Sequence, residues 1–205
     1  MTLFPAFLKL TGRPVLVVGG GAIATSKVPR LVQAGARVTV VSPKLSPRLS
    51  ESVRNREIDW YPKPFESTDL DGKFLVVAAT SLRDLNESVY READKRNVLC
   101  NAVDDMEHCH FYYGSIVQRG DLQIAISTNG KSPALAQLLR KELEHQFGPE
   151  YAAWLEWLGA ARDVLRAQSR DPETTKRWLH LLASPQMLER FLDEASQPVA
   201  KQGAA

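Results

Sequence analysis

Residues 15–24, VLVVGGGAIA, constrain the fold of this chain more than any other segment. An apolar run ends in three glycines, and small residues then begin a helical pattern. The spacing Gly19-x-Gly21-x-x-Ala24 fits the glycine fingerprint of a dinucleotide-binding turn, with alanine in the third place. In such a turn the first glycine permits the tight turn, the second admits the pyrophosphate, and the third small residue allows close helix–strand packing.

A glycine-rich turn between a strand and a helix also occurs without a ligand, so the surroundings of the motif decide between the two interpretations. A second apolar strand, RVTVV at 37–41, follows the predicted helix after Ala34-Gly35-Ala36. The N-terminus of that helix offers free N–H groups and the positive end of its dipole to phosphate oxygens. This order of strand, turn, helix and strand favours a dinucleotide site.

The composition indicates an ordinary globular protein. A chain of 205 residues with 44% hydrophobic residues has room for one domain and a smaller appendage. Its net charge of +2 gives no argument for nucleic acid, and no window approaches the roughly 18 apolar residues of a membrane span. No secretory signal precedes Cys100 and Cys109. We therefore expect free thiols in a reducing cytoplasm, with neither nucleic acid nor membrane as a partner.

The first half of the chain alternates between strand and helix patterns. Strands are predicted at 15–18, 38–41, 58–61, 74–79 and 98–103, and helices at 23–34, 46–55 and 85–96. This order predicts an α/β fold with a doubly wound, Rossmann-like parallel sheet and right-handed crossovers. Gly35 is expected to end the first helix, and Pro29 inside it predicts a kink or a short first segment.

From Asp104 onward the pattern changes to a hairpin followed by helices. Strands are predicted at 111–119 and 122–127 and helices at 134–147, 150–169, 172–182 and 185–195. Four regions follow from this pattern, namely a dinucleotide-binding domain at 1–110, a small β region at 111–148, a helical domain at 149–195 and a disordered tail at 196–205.

The end of the second strand decides how the adenosine ribose is held. NAD enzymes usually carry an acidic residue there, but this chain has Ser42-Pro43-Lys44. We therefore expect Ser42 or backbone groups to bind the ribose. Lys44 would tolerate a 2′-phosphate, so the choice between NAD and NADP stays open, and a solvated loop lysine is the alternative for this residue.

Small residues end the third long apolar strand, at Ala78-Ala79-Thr80-Ser81. The carboxyl ends of parallel strands face the ligand crevice, so these small residues leave room for a cofactor. The Thr80 hydroxyl is able to donate a hydrogen bond to it. The alternative for Thr80 is a cap between the strand and the helix that follows.

Two adjacent carboxylates, Asp104 and Asp105, follow the last predicted strand of the sheet. A carboxylate at this rim is suited to accept a proton from a bound substrate. Consecutive side chains point in different directions, so we predict that Asp104 faces the crevice and that Asp105 is structural. A solvated loop aspartate is the alternative for Asp104.

The run Glu107-His108-Cys109-His110 contains metal-ligand residue types at a spacing too tight for a tetrahedral site from these four alone. We predict no metal site and keep His108 and His110 only as weak candidates for metal handling.

A polar loop precedes the helix predicted at 134–147. Its residues are Ser127, Thr128, Asn129, Gly130, Lys131 and Ser132, followed by Pro133. Asn129 and Gly130 tolerate left-handed backbone angles, Lys131 adds a cation, and the helix N-terminus attracts anions. Ser132 is predicted to be the N-cap of that helix, with Pro133 in its first turn. The loop suits a substrate carboxylate, and an ordinary capped turn without a ligand is the alternative.

Several of these motifs occur together, in the same order, in a known family. The chain resembles the precorrin-2 dehydrogenases, the N-terminal module of siroheme synthases, from about Leu3 to Phe147 and more weakly to about Ala195. The residues that carry this resemblance are Pro5-Ala6-Phe7, Gly19-Gly20-Gly21, Lys27, Ala34-Gly35-Ala36, 38–43, Ala78-Ala79-Thr80, Asn86, 101–105 and the stretch AISTNGKSPA.

The resemblance implies an NAD-dependent oxidation of precorrin-2 to sirohydrochlorin by a homodimer whose region 111–148 exchanges contacts between subunits. Some members also insert Fe²⁺ into sirohydrochlorin. The family's catalytic aspartate matches Asp104, and its tetrapyrrole-side loop matches Ser127–Ser132. Its cofactor contacts fall at positions that match Ala22, Ile23, Pro43 and Lys44. No methyltransferase domain is included in the resemblance, so another protein is expected to supply precorrin-2.

Two other functions are weighed against this one. A regulatory domain that senses NAD without turning it over would share the first hundred residues but would need neither Asp104 nor the polar loop. A short-chain reductase is disfavoured because no Tyr-x-x-x-Lys pair is present, Tyr112 and Tyr113 being followed at the fourth position by Ile116 and Val117.

Overall fold

The computed structural model describes residues 3–168 and 171–196. The chain divides into two compact units, the first ending at Tyr113 and the second beginning at Gly114. The tail predicted as disordered lies, apart from Ser196, outside the described residues. Within the described part, no helix is long and apolar enough to cross a membrane.

A five-stranded parallel sheet forms the first unit, and its strand order is β3-β2-β1-β4-β5. The strands are β1 (Pro14–Val18), β2 (Arg37–Val41), β3 (Asp59–Tyr61), β4 (Leu75–Ala78) and β5 (Leu99–Ala102). The helices are α1 (Ala22–Gln33), α2 (Pro47–Arg54) and α3 (Arg83–Lys95), with 3-10 turns at Ser67–Leu70 and Met106–His108. The predicted Rossmann-like fold is confirmed, and the strand order reverses between β1 and β4, where such sheets bind ligands.

The apolar runs of the sequence form the centre of this sheet. All four residues of β4 are buried, as are the last four of β1, because a parallel sheet is covered on both faces. On one face α1 buries Ala24, Val28 and Leu31, which recur at helical spacing. On the other face α3 buries Val89 and Ala93. The rigid sheet fixes the positions of the loops at its carboxyl edge.

The first helix runs unbroken from Ala22 to Gln33. Of the two outcomes predicted from Pro29, the short first segment is wrong, because one exposed proline removes only the bond that its N–H would donate to the Thr25 carbonyl. The kink stays a prediction. The helix ends as predicted, with Gly35 at φ +76° donating its N–H to the Val32 carbonyl at 2.8 Å.

The second unit consists of a hairpin and four helices. Its elements are β6 (Ser115–Arg119), β7 (Leu122–Ile126), α4 (Pro133–Gln146), α5 (Glu150–Gln168), α6 (Pro172–Leu182) and α7 (Pro185–Ser196). The hairpin is antiparallel, α4 and α5 pack on it, and α6 and α7 pack on α5. The Arg119 guanidinium joins hairpin to helix by donating to the carbonyls of Glu144 and Phe147, at 2.9 and 2.8 Å.

The first strand of this hairpin begins at Ser115, not at residue 111 as predicted. The residues before it serve the first unit instead. The Phe111 carbonyl accepts a hydrogen bond from the Asn101 side-chain amide at 2.9 Å. The rings of Phe111 and Tyr113 pack on the core of the first unit and against each other, with their centroids 5.6 Å apart. An apolar aromatic run predicts a strand from its composition, but here packing on another element takes these residues out of the hairpin.

Candidate functional site

The first glycine of the turn is fixed by its backbone and by its neighbours. Gly19 follows β1 with φ +115°, a conformation that residues with a side chain rarely adopt. A Cβ atom on it would lie 2.5 Å from the Ala79 carbonyl oxygen, and its N–H donates to the Val41 carbonyl at 2.9 Å. Gly19 therefore holds the ends of β1, β2 and β4 together.

The middle glycine binds the turn to the loop after β2. A Cβ atom on Gly20 would lie 2.1 Å from the Lys44 carbonyl oxygen, so no larger residue fits. Its own carbonyl accepts the Ser46 N–H at 2.8 Å, and the Ser46 hydroxyl lies 2.7 Å from that of Thr25. The dinucleotide fingerprint gives this position no role, so sequence reasoning missed it.

Gly21, the last of the three consecutive glycines, is not required to be glycine by its backbone or by neighbouring protein atoms. Gly21 precedes α1 with an ordinary φ of −87°, and a Cβ atom on it would meet no protein atom within 4 Å. No side chain caps the helix here, and its first turn carries no acidic residue. The open space, the first-turn N–H groups at Ala22 and Ile23 and the helix dipole fit the pyrophosphate of a dinucleotide.

The loop after β2 is held by its own hydrogen bonds. The Ser42 hydroxyl donates to the Lys44 carbonyl at 2.6 Å, and the Trp60 indole donates to the Ser42 carbonyl at 2.9 Å. Ser42 is buried, and its hydroxyl hydrogen is used within the loop. Pro43 and Lys44 are exposed beside the glycine turn, and Lys44 has no ion pair in the described part of the chain.

The hydroxyl of Thr80 is also used within the protein. It donates to the Asn86 side-chain oxygen at 2.7 Å and accepts the Leu82 N–H at 3.1 Å. The buried Asn86 amide returns a hydrogen bond to the Thr80 carbonyl at 3.1 Å. These hydrogen bonds form the cap between strand and helix that the sequence analysis gave as the alternative for Thr80. Asn86 therefore stabilises the loop at the carboxyl end of β4.

The two aspartates after β5 have different surroundings. Asp104 is exposed and has φ +60°, a left-handed conformation that aspartate tolerates better than most residues. The Asp105 carboxylate is 8% exposed and lies 2.8 Å from His108 Nδ1 and 3.5 Å from Arg83 Nε. The hydrogen bond from His108 holds the pKa of Asp105 below its usual range. Asp104 is thus available to a ligand, whereas Asp105 stabilises the loop.

Because the folded-state pKa of Asp105 is depressed, its ionised form contributes stability above the unfolded pKa of about 3.9, and this contribution is lost as the pH falls through the folded value. We expect the Asp105→Asn variant to be less stable than the wild type at pH 6 and closer to it below pH 4. Urea unfolding at both pH values measures the difference. A gap in unfolding free energy that is the same at both values would contradict this assignment.

The His-Cys-His run folds back against β5 and forms structural hydrogen bonds. The Cys100 N–H donates to His110 Nδ1 at 3.0 Å, and the Cys109 thiol donates to the Ala102 carbonyl at 3.1 Å. Burial raises the pKa of the Cys100 thiol to about 12, and both cysteines are free. Among the residues described, no group of three or more His, Cys, Asp or Glu is arranged to hold a metal ion.

The polar loop of the second unit is a capped turn. Ser132 caps α4 by accepting the Leu135 N–H at 3.1 Å, as predicted, and Pro133 occupies the first turn. The Thr128 hydroxyl donates to the Ser132 carbonyl at 3.1 Å, and Asn129 and Gly130 have φ of +51° and +73°. Ser127 accepts the Asn129 N–H at 3.2 Å, and Lys131 is exposed. These bonds shape the loop whether or not it binds an anion.

The sequence matches two family models in succession. Residues 6–115 match NAD_binding_7, a model of NAD(P)-binding domains, and residues 119–146 match the central segment of sirohaem biosynthesis proteins. The first match covers the glycine turn, the loop after β2 and both aspartates. The second covers most of the hairpin, the polar loop and α4.

Curated relatives and a solved structure agree with these matches. The chain is 47% identical over 144 residues to a siroheme synthase of Photorhabdus laumondii, covering 70% of this chain and 31% of the relative. It is 38% identical over 202 residues to siroheme synthase 1 of Aeromonas salmonicida, covering 98% and 43%. It thus spans less than half the length of these relatives. The structure of SirC, a precorrin-2 dehydrogenase, is 27% identical with a TM-score of 0.79, covering 94% of this chain and 98% of that one. The resemblance inferred from the sequence is confirmed.

Proposed function

We propose that this chain, which belongs to the NAD(P)-binding family that its residues 6–115 match, oxidises precorrin-2 to sirohydrochlorin with NAD. The observation that carries the proposal is the glycine turn, where Gly19 and Gly20 are required by the protein and Gly21 leaves space that no protein atom fills. The likeness to SirC over nearly the whole of both chains supports the substrate.

Bound NAD supplies the acceptor for a hydride. The chain's own residues hold it in place. The N–H groups of Ala22 and Ile23 at the start of α1 bind the pyrophosphate, and Pro43 and Lys44 border the adenosine ribose. No acidic side chain ends β2 to repel a 2′-phosphate, so NADP is the alternative cofactor.

Removing a hydride from the reduced macrocycle also releases a proton. Asp104 is the proposed acceptor of that proton, because its exposed carboxylate lies at the carboxyl edge of the sheet and Asp105 beside it is committed to His108 and Arg83. Insertion of Fe²⁺ into sirohydrochlorin needs loss of pyrrole protons, and the same carboxylate is the proposed acceptor there.

The substrate carries several carboxylates and needs cationic or N–H groups to hold them. The proposed anchor in the second unit is the loop Ser127–Ser132 with the N-terminus of α4. The exposed Lys131 and the uncharged first turn of α4 support this role.

We also propose that the protein is a homodimer. In the second unit a two-stranded sheet packs on α4 and α5, and Leu135 and Leu138 on α4 are 46% and 53% exposed. An isolated hairpin buries little apolar surface, so a second copy would complete this core. Sedimentation equilibrium tests the proposal, which requires twice the chain mass of 22.8 kDa.

The free Cys100 and Cys109 support a reducing compartment such as the cytoplasm.

Anaerobic mixing of the protein, precorrin-2 and NAD tests the reaction. We expect NADH absorbance and the sirohydrochlorin spectrum to rise together in equal amounts, and a parallel run with NADP compares the cofactors. NAD binding without either product would favour a regulatory NAD sensor. A second phase with Fe²⁺ and sirohydrochlorin tests metal insertion against the uncatalysed rate.

A further inference from the structure

Lys27 is a cation that the proposed reaction has not yet used. It lies in the second turn of α1 and is half-buried. Its Nζ atom lies 4.4 Å from the centre of the Tyr113 ring, within the range of a cation–π contact. The Tyr113 hydroxyl is itself buried and has no hydrogen-bond partner among the described residues. The aromatic ring therefore fixes the ammonium group within the first unit, in electrostatic range of Asp104.

The Lys27 ammonium group has three N–H donors, and none of the described residues provides an acceptor for them. Across residues 3–168 and 171–196, Lys27 makes no ion pair within 4 Å and no side-chain hydrogen bond. The face of an aromatic ring attracts the charge but offers no lone pair to an N–H group. Lys27 is half-buried, so water reaches these donors, and a carboxylate brought by a ligand would replace that water with a stronger, charge-assisted hydrogen bond.

The charges around Lys27 also favour an anionic ligand. Partial burial and the neighbouring Arg30 lower the pKa of Lys27, whereas the Asp104 carboxylate opposes this shift. Lys27 is thus within electrostatic range of a second cation, Arg30, and of one exposed carboxylate, Asp104. A second carboxylate would offset this excess of positive charge.

We propose that Lys27 binds a carboxylate of the tetrapyrrole substrate and so orients the macrocycle against Asp104. This inference rests on the proposed function, because it assumes a polyanionic tetrapyrrole as the substrate. It assigns a specificity-determining role to a residue of α1, the helix whose first turn is the proposed pyrophosphate site. The role is separate from that site because the side chain that Lys27 contacts is Tyr113, which follows β5, and not a residue of the glycine turn.

The Lys27→Met variant tests this role by steady-state kinetics. We expect the KM for precorrin-2 to rise about tenfold or more, as is typical for loss of a charge-assisted hydrogen bond, with kcat within about threefold. The NAD dissociation constant and the melting temperature should stay close to wild type. Lys27→Arg keeps the charge and should restore part of the affinity. The control is Lys95→Met, which removes an exposed lysine of α3 that pairs with Glu92.

Titration of the product sirohydrochlorin, without NAD, gives a second readout. Weaker binding by Lys27→Met supports the proposal even if the wild type shows no turnover, which would refute only the proposed oxidation. Unchanged KM and unchanged product affinity would overturn it. Weaker NAD binding with unchanged tetrapyrrole affinity would also overturn it, because Lys27 would then serve the pyrophosphate. If Lys27→Met does not fold, Lys27→Gln and Lys27→Arg are compared by the same titration.

Discussion

Replacing Gly21 by aspartate is expected to lower the affinity for NAD by more than about a hundredfold, a loss of roughly 2.8 kcal/mol of binding free energy. The new carboxylate would occupy the open space before α1 and repel the pyrophosphate. The same substitution should not destabilise the protein, because the φ of −87° suits any residue and aspartate is a favoured N-cap. Calorimetric titration with NAD and urea unfolding measure the two quantities.

The neighbouring glycine provides the matched control. Gly20→Ala places a Cβ atom against the Lys44 carbonyl, so we expect it to lower the free energy of unfolding by about 1 to 3 kcal/mol. The two variants thus separate a glycine that the fold requires from one that the ligand requires. Wild-type NAD affinity in the Gly21→Asp protein would show that the phosphates bind elsewhere, and the proposed cofactor site would be wrong.

Replacing Asp104 by asparagine is expected to reduce kcat for precorrin-2 oxidation by about 10²- to 10⁴-fold, the usual contribution of a general base. Asparagine keeps the shape of the side chain and tolerates the left-handed φ of +60°, so the backbone should not move. NAD affinity and the melting temperature should remain near those of the wild type. Single-turnover mixing under anaerobic conditions measures the chemical step apart from product release.

Asp105→Asn is the control for this experiment, since it removes the same charge one residue further along. Its carboxylate is bound to His108 and Arg83, so turnover should persist with some loss of stability. A kcat within about threefold of wild type in Asp104→Asn would refute the proposed proton acceptor while leaving the family unchanged. The same variant in the iron-insertion assay tests whether one carboxylate serves both reactions.

Much of the first unit was predictable because its signals are local. Buried parallel strands require continuous apolar runs, and β1 and β4 show them directly in the sequence. Turn chemistry is similarly local, which explains why the end of α1 at Gly35 and the cap of α4 at Ser132 were predicted at the correct residues.

The remaining features depend on contacts between distant segments. The need for glycine at position 20 comes from the Lys44 carbonyl, 24 residues away, and no pattern in the turn itself reveals it. Asn86 was recognised only as part of a family resemblance, because a polar residue on a helix usually faces solvent, whereas here it is buried against Thr80. The His-Cys-His run contains metal-ligand residue types at a spacing that predicted no metal site, but the hydrogen bonds that join it to the end of β5 could not be read from that spacing.

The contact between Gly20 and the Lys44 carbonyl limits how the coenzyme preference of such a protein can be redesigned. Grafting a longer loop from a dehydrogenase would displace this carbonyl and, with it, the turn that forms the proposed phosphate site. A protein engineer would have to retain the backbone of residues 42–46 and vary only the outward side chains at Pro43 and Lys44.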